Sequence, residues 1–324
     1  MRKIRLSRTC WLPAATVLAG CAPVESGQPV WVTIPHGASF EEVAESLATH
    51  QLVSSAGSFR WYAKFSGVTD SFEGGSYQLQ PGMSPAEIVE ELQTAQPFVQ
   101  PLRIPAGLWA NEVAWYVQRQ LDIPADSFKA AVRDSSQVAR IGARGETLEG
   151  YLFPGEHQVR VGASAREVVH VMLDAFESNW HPEWSRRLDS LDMSRDEIVT
   201  LASIIQGEGG SERDAPYVAS VYHNRLNKGM RLQADPTVVY ALGRRRRLYN
   251  KDYSLSSPFN TYRFAGLPPS PISNPSAASL EAALYPEETG FFYFVASTKG
   301  RHLFSQTYRE HLATIRSIRR KAGE

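Results

Sequence analysis

Two segments of the chain that lie 70 residues apart carry the same turn followed by the same helix pattern. Residues 34–37 read Ile-Pro-His-Gly and residues 104–107 read Ile-Pro-Ala-Gly, and in both copies Glu-Val-Ala begins eight residues after the isoleucine. In each copy a strand, Val30 to Ile34 or Val99 to Ile104, meets the Pro-x-Gly turn and continues into an amphipathic helix. The shared register predicts an α+β module of strand, helix, helix and strand that occurs twice.

The second half of each copy matches less closely. Gly75-Ser76-Tyr77, followed by Gly82 and a helix from Pro85 to Thr94, has its counterpart in Gly150-Tyr151-Leu152-Phe153, followed by Gly162 and a helix from Ala165 to Phe176. The pattern resembles the LysM-like units of envelope proteins, which hold glycan chains. A spacer that keeps a working domain away from a membrane explains the repeat equally well.

The first 20 residues are typical of a bacterial export signal. Four cations precede a short apolar stretch from Trp11 to Gly20, and no acidic residue occurs before Glu25. Such a stretch is too short to span a bilayer. It ends in Leu-Ala-Gly-Cys, a lipobox pattern that predicts cleavage before Cys21, lipidation of its thiol and a linker over residues 21–29. The alternative is an ordinary signal, or a weak anchor, with an incidental cysteine. We expect an exported, membrane-anchored lipoprotein of the bacterial cell envelope that faces the periplasm or cell wall.

The composition excludes several classes of protein. Lys+Arg and Asp+Glu both number 34, so no global basic field favours nucleic acid. Only two cysteines, Cys10 and Cys21, are present, which excludes a disulfide scaffold and a cysteine-rich zinc site. No apolar run reaches the ~18–20 residues of a membrane span. The sequence also lacks a His-Glu-x-x-His pair, a Gly-x-Ser-x-Gly elbow and a P-loop, and we therefore expect no metal and no cofactor.

One segment of the C-terminal half combines a buried helix with an acidic residue at its end. Ser194 and, three residues later, Glu197 form a capping-box pattern that begins a helix. Residues 198–205 are apolar nearly all round, which predicts burial. The helix leads to Glu208, flanked by glycines, where burial would keep the carboxyl protonated and able to act as a general acid. A solvated residue at a helix end fits the local sequence equally well.

The segments that follow supply polar residues. A helix predicted from Pro216 to Lys228, and ended by Gly229, presents Asn224 and Arg225 near its end.

A shorter helix is predicted to begin at Asp235-Pro236 and to end at Gly243. We expect Asp235 to cap this helix rather than to take part in catalysis. Two proline-rich loops, residues 257–262 and 266–275, carry amide and aromatic side chains that suit sugar hydroxyls and ring faces. The same composition is also that of a packed proline-rich turn.

Taken together, residues 30 to 315 resemble the YceG/MltG-like endolytic murein transglycosylase family. The segments that carry the resemblance are Leu201 through Glu208, Glu212-Arg213-Asp214, Val218-Ala219-Ser220-Val221, Asn224-Arg225-Leu226, Gly229-Met230-Arg231-Leu232-Gln233, Asp235-Pro236-Thr237-Val238, Asn260-Thr261-Tyr262, Gly266-Leu267-Pro268-Pro269, Ser279-Leu280, Phe292-Tyr293-Phe294-Val295-Ala296, and His302 with Phe304.

The resemblance implies an α+β fold in which LysM-like modules, at residues 30–98 and, as a related module or connector, 99–180, precede a mixed α/β catalytic domain at residues 181–324 with a reduced lysozyme-like helical core. It implies cleavage of the bond between N-acetylmuramic acid and N-acetylglucosamine, with Glu208 as the single acid/base and 1,6-anhydro ends as product. The residues expected to line or support the groove are Asn224, Arg225, Gln233, Asp235, Asn260 and Tyr262. The implied partners are peptidoglycan glycan strands and, as a further candidate, peptidoglycan synthases.

Three departures from the family pattern surround the acid. The chain has Gln206 where the family has a second glutamate, and it has Gly207 and Gly209 where the family tends to have Lys or Arg and then Thr. These departures motivate a second hypothesis, a glycan-binding scaffold that has lost catalysis. A third is a hydrolytic muramidase that pairs Glu208 with Asp235 or Glu149.

Overall fold

A computed structural model describes residues 28–34, 38–66, 72, 74–94, 98–297 and 301–322. The predicted export signal, the lipidation site Cys21, most of the linker and the Pro-x-Gly turn at residues 35–37 lie outside the described residues. The chain forms two compact units, of which one ends at Phe98 and the other begins at Val99. No helix of the described ranges is long and apolar enough to cross a membrane.

The first unit packs helices against a two-stranded sheet. Its elements are β1 (Val30–Ile34), α1 (Phe40–Thr49), α2 (Ala56–Phe65), β2 (Gly75–Leu79) and α3 (Pro85–Thr94). The strands pair antiparallel. A capping box between Ser39 and Glu42 begins α1. Val43 and Leu47 from α1 and Ile88 from α3 pack together in one buried core. Because these side chains lie at helical spacing, the apolar period of the sequence determines which helix faces are buried.

The second unit begins with the same order of elements and one additional helix. These elements are β3 (Val99–Ile104), α4 (Ala110–Leu121), α5 (Ala125–Val132), α6 (Ser135–Ile141), β4 (Gly155–Arg160) and α7 (Ala165–Asn179). The strands predicted to start the two copies of the repeat have the bounds expected from the sequence, which confirms those two elements.

The second half of the repeat differs from the sequence prediction. Ile34 pairs with Gly75 in the first sheet, and Ile104 pairs with Gly155 in the second. The counterpart of Gly75 is therefore Gly155, and the expected correspondence with Gly150 is wrong. The extra residues between β3 and β4 accommodate α6. Gly150 instead lies in a turn at φ +92°, where a Cβ atom would be 2.4 Å from Pro271.

The rest of the second unit is mainly helical. It comprises α8 (Pro182–Leu191), α9 (Arg195–Glu208), a 3₁₀ turn (Glu212–Asp214), α10 (Ala215–Asn227), α11 (Asp235–Ala241), a second 3₁₀ turn (Asn250–Ser254), α12 (Ala277–Leu284), β5 (Tyr293–Ala296), β6 (His302–Ser305) and α13 (Tyr308–Ala322). β5 and β6 pair antiparallel. Within the described residues the architecture is α+β, with two-stranded antiparallel sheets among many helices.

Helix α9 lies in the core of the second unit. The predicted capping box between Ser194 and Glu197 is present, and residues 198–205 are all buried. Helices α10, α11 and α12 pack around it. A fully buried isoleucine such as Ile204 contributes enough that truncation to alanine costs about 2–5 kcal/mol. This packing holds the last residue of α9, Glu208, in a defined place.

Candidate active site

Glu208 ends α9 and faces a polar neighbour on α10. Its Oε1 accepts a hydrogen bond from the hydroxyl of Tyr222, a ring that is 1% exposed. The next residue, Gly209, has φ +68°, a conformation that glycine adopts without strain. Glu208 is partly buried, so it is not the freely solvated helix end that the sequence also allowed.

The surroundings of Glu208 favour its protonated form. Its pKa is raised from the ordinary value of 4.5 to about 7, mainly by burial and to a smaller extent by the nearby Asp235 carboxylate. The hydrogen bond from Tyr222 and the charge of Arg225 act in the opposite direction, because both favour the carboxylate. Near neutral pH the side chain can therefore both give and take a proton, which general acid–base catalysis requires.

Glu208 lines a cleft of about 410 Å³. The cleft brings together five of the residues singled out from the sequence. Its other side, called here the C-terminal wall, consists of the lining residues from Tyr293 onward. The lining residues are Glu208, Arg225, Gln233, Asp235, Tyr262, Tyr293, Phe294, Val295, Ala296, His302, Tyr308 and His311.

Asp235 does not cap α11 as the sequence predicted. The N-cap is Ala234, and no side-chain cap hydrogen bond forms there. The Asp235 carboxylate instead accepts a hydrogen bond from the Tyr262 hydroxyl at 2.6 Å. Burial of Tyr262 and this carboxylate both raise the pKa of the phenol, so it remains a donor. Asp235 therefore lies on the surface of the cleft and has no capping role at the start of α11.

Gln233 is exposed beside this pair and has an unusual backbone. Its φ is +50°, in the left-handed region, and its N–H donates to Thr261 O at 3.1 Å. Non-glycine residues in this conformation cost energy and occur often at functional sites. The loop that presents Tyr262 thus holds the backbone that presents Gln233.

Arg225 joins the cleft to the C-terminal wall. It is buried, and its Nε donates to Phe292 O at 2.7 Å while a terminal nitrogen donates to Leu232 O at 2.5 Å. The guanidinium carbon lies 5.4 Å from the centre of the Tyr293 ring. The cation therefore positions β5 and also lowers the pKa of Glu208.

Asn224 and Asn260 lie outside the cleft. The Asn224 amide donates to Thr289 O at 2.8 Å and Phe291 O at 2.9 Å. Asn260 is fully buried, its amide nitrogen donates to two backbone carbonyls of residues 253–255, and its Oδ1 accepts from Tyr262 N at 3.0 Å. Of the two roles expected for these residues, lining or supporting the groove, their contacts with backbone groups fit support. They support the segments that carry the lining residues.

The residues that depart from the family pattern have local structural reasons. A Cβ atom on Gly207 would lie 2.7 Å from Pro236, so α9 and α11 approach closely at this point. Gln206 Oε1 accepts hydrogen bonds from Ser276 N and from the Ser279 hydroxyl, both at 3.0 Å. The Gln206 side chain thus holds the start of α12, and these contacts give it a structural role there.

The C-terminal wall was not predicted as part of the site. His302 is 8% exposed, and its backbone N–H donates to Asp214 Oδ2 at 2.9 Å. Its ring packs so closely on Gly210 that a Cβ atom there would lie 2.5 Å from the ring. Tyr293 and His302 entered the sequence analysis only as part of the resemblance, and Tyr308 and His311 did not enter it, although the density of histidine and tyrosine in this segment was an available signal.

Glu149 does not line the cleft. It is 5% exposed, and its carboxylate accepts from Ala110 N at 3.0 Å and from the Asn274 amide at 3.1 Å. Burial raises its pKa to about 8, although the Ala110 N–H opposes this. With these donors already in place, Glu149 joins the start of α4 to the loop before α12, and the muramidase pairing through Glu149 has no support in the geometry.

Known proteins resemble this chain over most of its length. The pattern of the YceG-like family matches residues 32–317. The endolytic murein transglycosylase of Bacillus subtilis is 30% identical over 309 residues, which cover 89% of this chain and 85% of that protein.

A second relative and a solved structure extend the comparison. The endolytic murein transglycosylase of Streptococcus pneumoniae serotype 2 is 29% identical over 330 residues, and the match spans 91% of this chain but 60% of that protein. A crystal structure of a yceG-like protein from Listeria monocytogenes has a TM-score of 0.61 and 32% identity, and the match covers 88% of this chain and 98% of that chain.

Proposed function

The chain belongs to the YceG-like family, and from this premise we propose that it is an endolytic peptidoglycan lytic transglycosylase. Its substrate is the glycan strand, and it cleaves the β-1,4 bond between N-acetylmuramic acid and N-acetylglucosamine to leave a 1,6-anhydro end. The observation that carries the proposal is the position of Glu208 in the cleft with a pKa of about 7. The relatives named endolytic murein transglycosylase support the substrate class.

Glu208 performs both proton transfers. As the neutral acid it donates its proton to the glycosidic oxygen, which leaves with N-acetylglucosamine as a hydroxyl group. As the carboxylate it then removes the proton from the 6-hydroxyl of N-acetylmuramic acid, whose oxygen bonds to the anomeric carbon. The proton balance returns Glu208 to its starting state.

A single carboxyl suffices in this mechanism. Hydrolytic glycosidases pair an acid with a second carboxylate that serves as nucleophile or base. Here the nucleophile belongs to the substrate itself, and holding it close to the anomeric carbon supplies much of the rate enhancement. General acid–base catalysis contributes a further ~10²–10⁴-fold.

The other residues assist without transferring the proton. Tyr222 and Arg225 adjust the pKa of Glu208, and Gln233, Asp235 and Tyr262 contact the sugars from the cleft surface. Asn224 and Asn260 support the segments that carry these side chains.

The remaining regions position the catalytic unit in the envelope. In this proposal residues 30–98 form a LysM-like module, residues 99–180 a related module or connector, and residues 181–324 the catalytic domain with a reduced lysozyme-like core. A lipid on Cys21 anchors the chain to a membrane so that it faces the periplasm or cell wall. Peptidoglycan synthases that produce the strands are the candidate partners.

A hydrolytic muramidase is the second candidate. It is favoured by one observation, since Asp235 lies in the same cleft as Glu208 and carries a second carboxylate. In that reaction Asp235 would act on water or on the anomeric carbon, and the product would be a reducing end.

The end groups of the products distinguish these reactions. The full chain in detergent, as wild type and Glu208→Gln, is incubated with uncrosslinked glycan strands, and the ends are identified by mass spectrometry. Anhydro ends that disappear in Glu208→Gln support the lytic reaction. Reducing ends would identify the muramidase, and strand binding without any cleavage would identify a binding scaffold.

A further inference from the structure

A second groove lies on the second unit, apart from the lining of the cleft. It has a volume of about 620 Å³ and is bounded by β3, α4 and β4. Six of its side chains carry the argument, and they are Arg103, Trp115, Tyr116, Arg119, Gln120 and Glu156. None of the roles derived above uses this surface.

Trp115 presents a large aromatic face to solvent from an otherwise well-packed helix. Val113 and Val117 on α4 are fully buried, whereas Trp115 is 51% exposed. The centres of the Tyr116 and Trp115 rings lie 5.1 Å apart in an edge-on arrangement, and the Arg119 guanidinium carbon lies 5.2 Å from the centre of the Trp115 ring. These contacts restrict the indole, so little conformational entropy is lost when a ligand packs on it.

Polar groups of the same groove also make defined contacts. Gln120 Oε1 accepts from Arg103 N at 3.0 Å, and its Nε2 donates to Arg103 O at the same distance. Across the strand pair, Arg103 Nε donates to Glu156 at 2.8 Å. The groove therefore combines one aromatic platform with fixed carboxamide, guanidinium and carboxylate groups.

This combination fits a carbohydrate better than an apolar peptide. A sugar presents C–H groups on its ring face and hydroxyl or acetamide groups around its edge, so it can use the indole and the polar rim at once. An apolar peptide segment would desolvate the Arg103–Glu156 ion pair and offer no partner to its remaining donors and acceptors.

The turn that joins β3 to α4, two elements that bound the groove, contacts the last turn of α9. Gly107, just before α4, packs against the side chain of Gln206, two residues before Glu208. At a rise of ~1.5 Å per residue, Trp115 is only ~8 Å along α4 from Ala110. The groove and the cleft thus belong to a single compact unit and are joined through packed elements.

We propose that the groove around Trp115 binds a part of the glycan strand remote from the scissile bond, with a sugar ring stacked on the indole. The inference rests on the proposed function for its substrate class. Binding at this distance holds a long strand without touching the reacting atoms, and it makes long strands better substrates than short fragments.

Binding without cleavage tests the groove. Calorimetry of the full chain in a Glu208→Gln background measures affinity for long, peptide-free, uncrosslinked strands. Trp115→Ala is expected to weaken binding roughly tenfold, the size typical of an aromatic anchor, and Trp115→Phe to retain most of it. The matched control is Tyr285→Ala, because Tyr285 is 41% exposed with Arg187 stacked over its ring but lies outside the groove.

In the active protein, Trp115→Ala is expected to raise KM for long strands and to leave kcat unchanged. Equal affinity of Trp115→Ala and its parent would overturn the inference, as would an equal loss in Tyr285→Ala. A failure of the proposed function has a different signature, because wild type would then yield no anhydro ends whatever Trp115 contributes to binding. Melting temperatures identify any variant whose loss reflects unfolding.

Discussion

The hydrogen bond from Tyr222 to Glu208 opposes the effect of burial and lowers the fraction of the acid that is protonated at neutral pH. Replacing Tyr222 with Phe keeps the buried ring and removes only the hydroxyl, which favours the carboxylate form of Glu208. The pKa of Glu208 should therefore rise in Tyr222→Phe. Because a general acid must be protonated, activity should extend to higher pH.

The size of this effect follows from the energy of the bond. A hydrogen bond to a charged group contributes about 1.5–3 kcal/mol, and 1.36 kcal/mol corresponds to one pH unit. The neutral carboxyl keeps part of the interaction, so we expect the pKa of Glu208 to rise by about one pH unit in Tyr222→Phe. The alkaline limb of kcat/KM should move from about 7 to roughly 8.

The assay measures the rate of formation of anhydro ends across the pH range, and kcat/KM reports the free enzyme. Asp235→Asn provides a control of opposite sign, because removing a nearby negative charge should lower the pKa of Glu208 and move the limb to lower pH. If Tyr222→Phe leaves the limb in place or moves it downward, the assignment of Tyr222 as the group that lowers the pKa of Glu208 is refuted.

Three further changes test the surroundings of the acid. Ionisation of Glu208 destabilises the folded protein progressively as the pH rises from 4.5 to about 7, so Glu208→Gln should be more stable than wild type by about 1–3 kcal/mol at pH 8 and no more stable at pH 4, as measured by urea unfolding. Gly207→Ala should cost about 1–3 kcal/mol and displace α11, because its Cβ atom would lie 2.7 Å from Pro236; a melting temperature equal to wild type contradicts this. Asn260→Ala should lower the free energy of unfolding by about 1–3 kcal/mol, because it leaves buried carbonyls unpaired. Loss of activity without loss of stability would instead indicate that Asn260 contacts the sugar directly.

Local signals in the sequence predicted the elements well. The strands at Val30–Ile34 and Val99–Ile104 and the helix Pro85–Thr94 have the expected bounds, because alternation, Pro-x-Gly turns and caps act over a few residues. The counterpart of Gly75 was misplaced, since an inserted helix changes the spacing of the repeat without changing its pairing. The pairing is a long-range property that local pattern does not encode.

The site shows the same division between local and distant causes. The position of Glu208 at the end of a buried helix was readable from one run of apolar residues, yet its pKa depends on Tyr222, Arg225 and Asp235, which come from two other helices. The Asp235-Pro236 pair has the local pattern of a cap, and the competing partner Tyr262 is 27 residues away. A cap needs only the helix that follows it, whereas a catalytic surface is assembled from separate segments. The role of a residue such as Asp235, whose local sequence predicts a cap, is therefore decided by the partners that the tertiary fold brings to it.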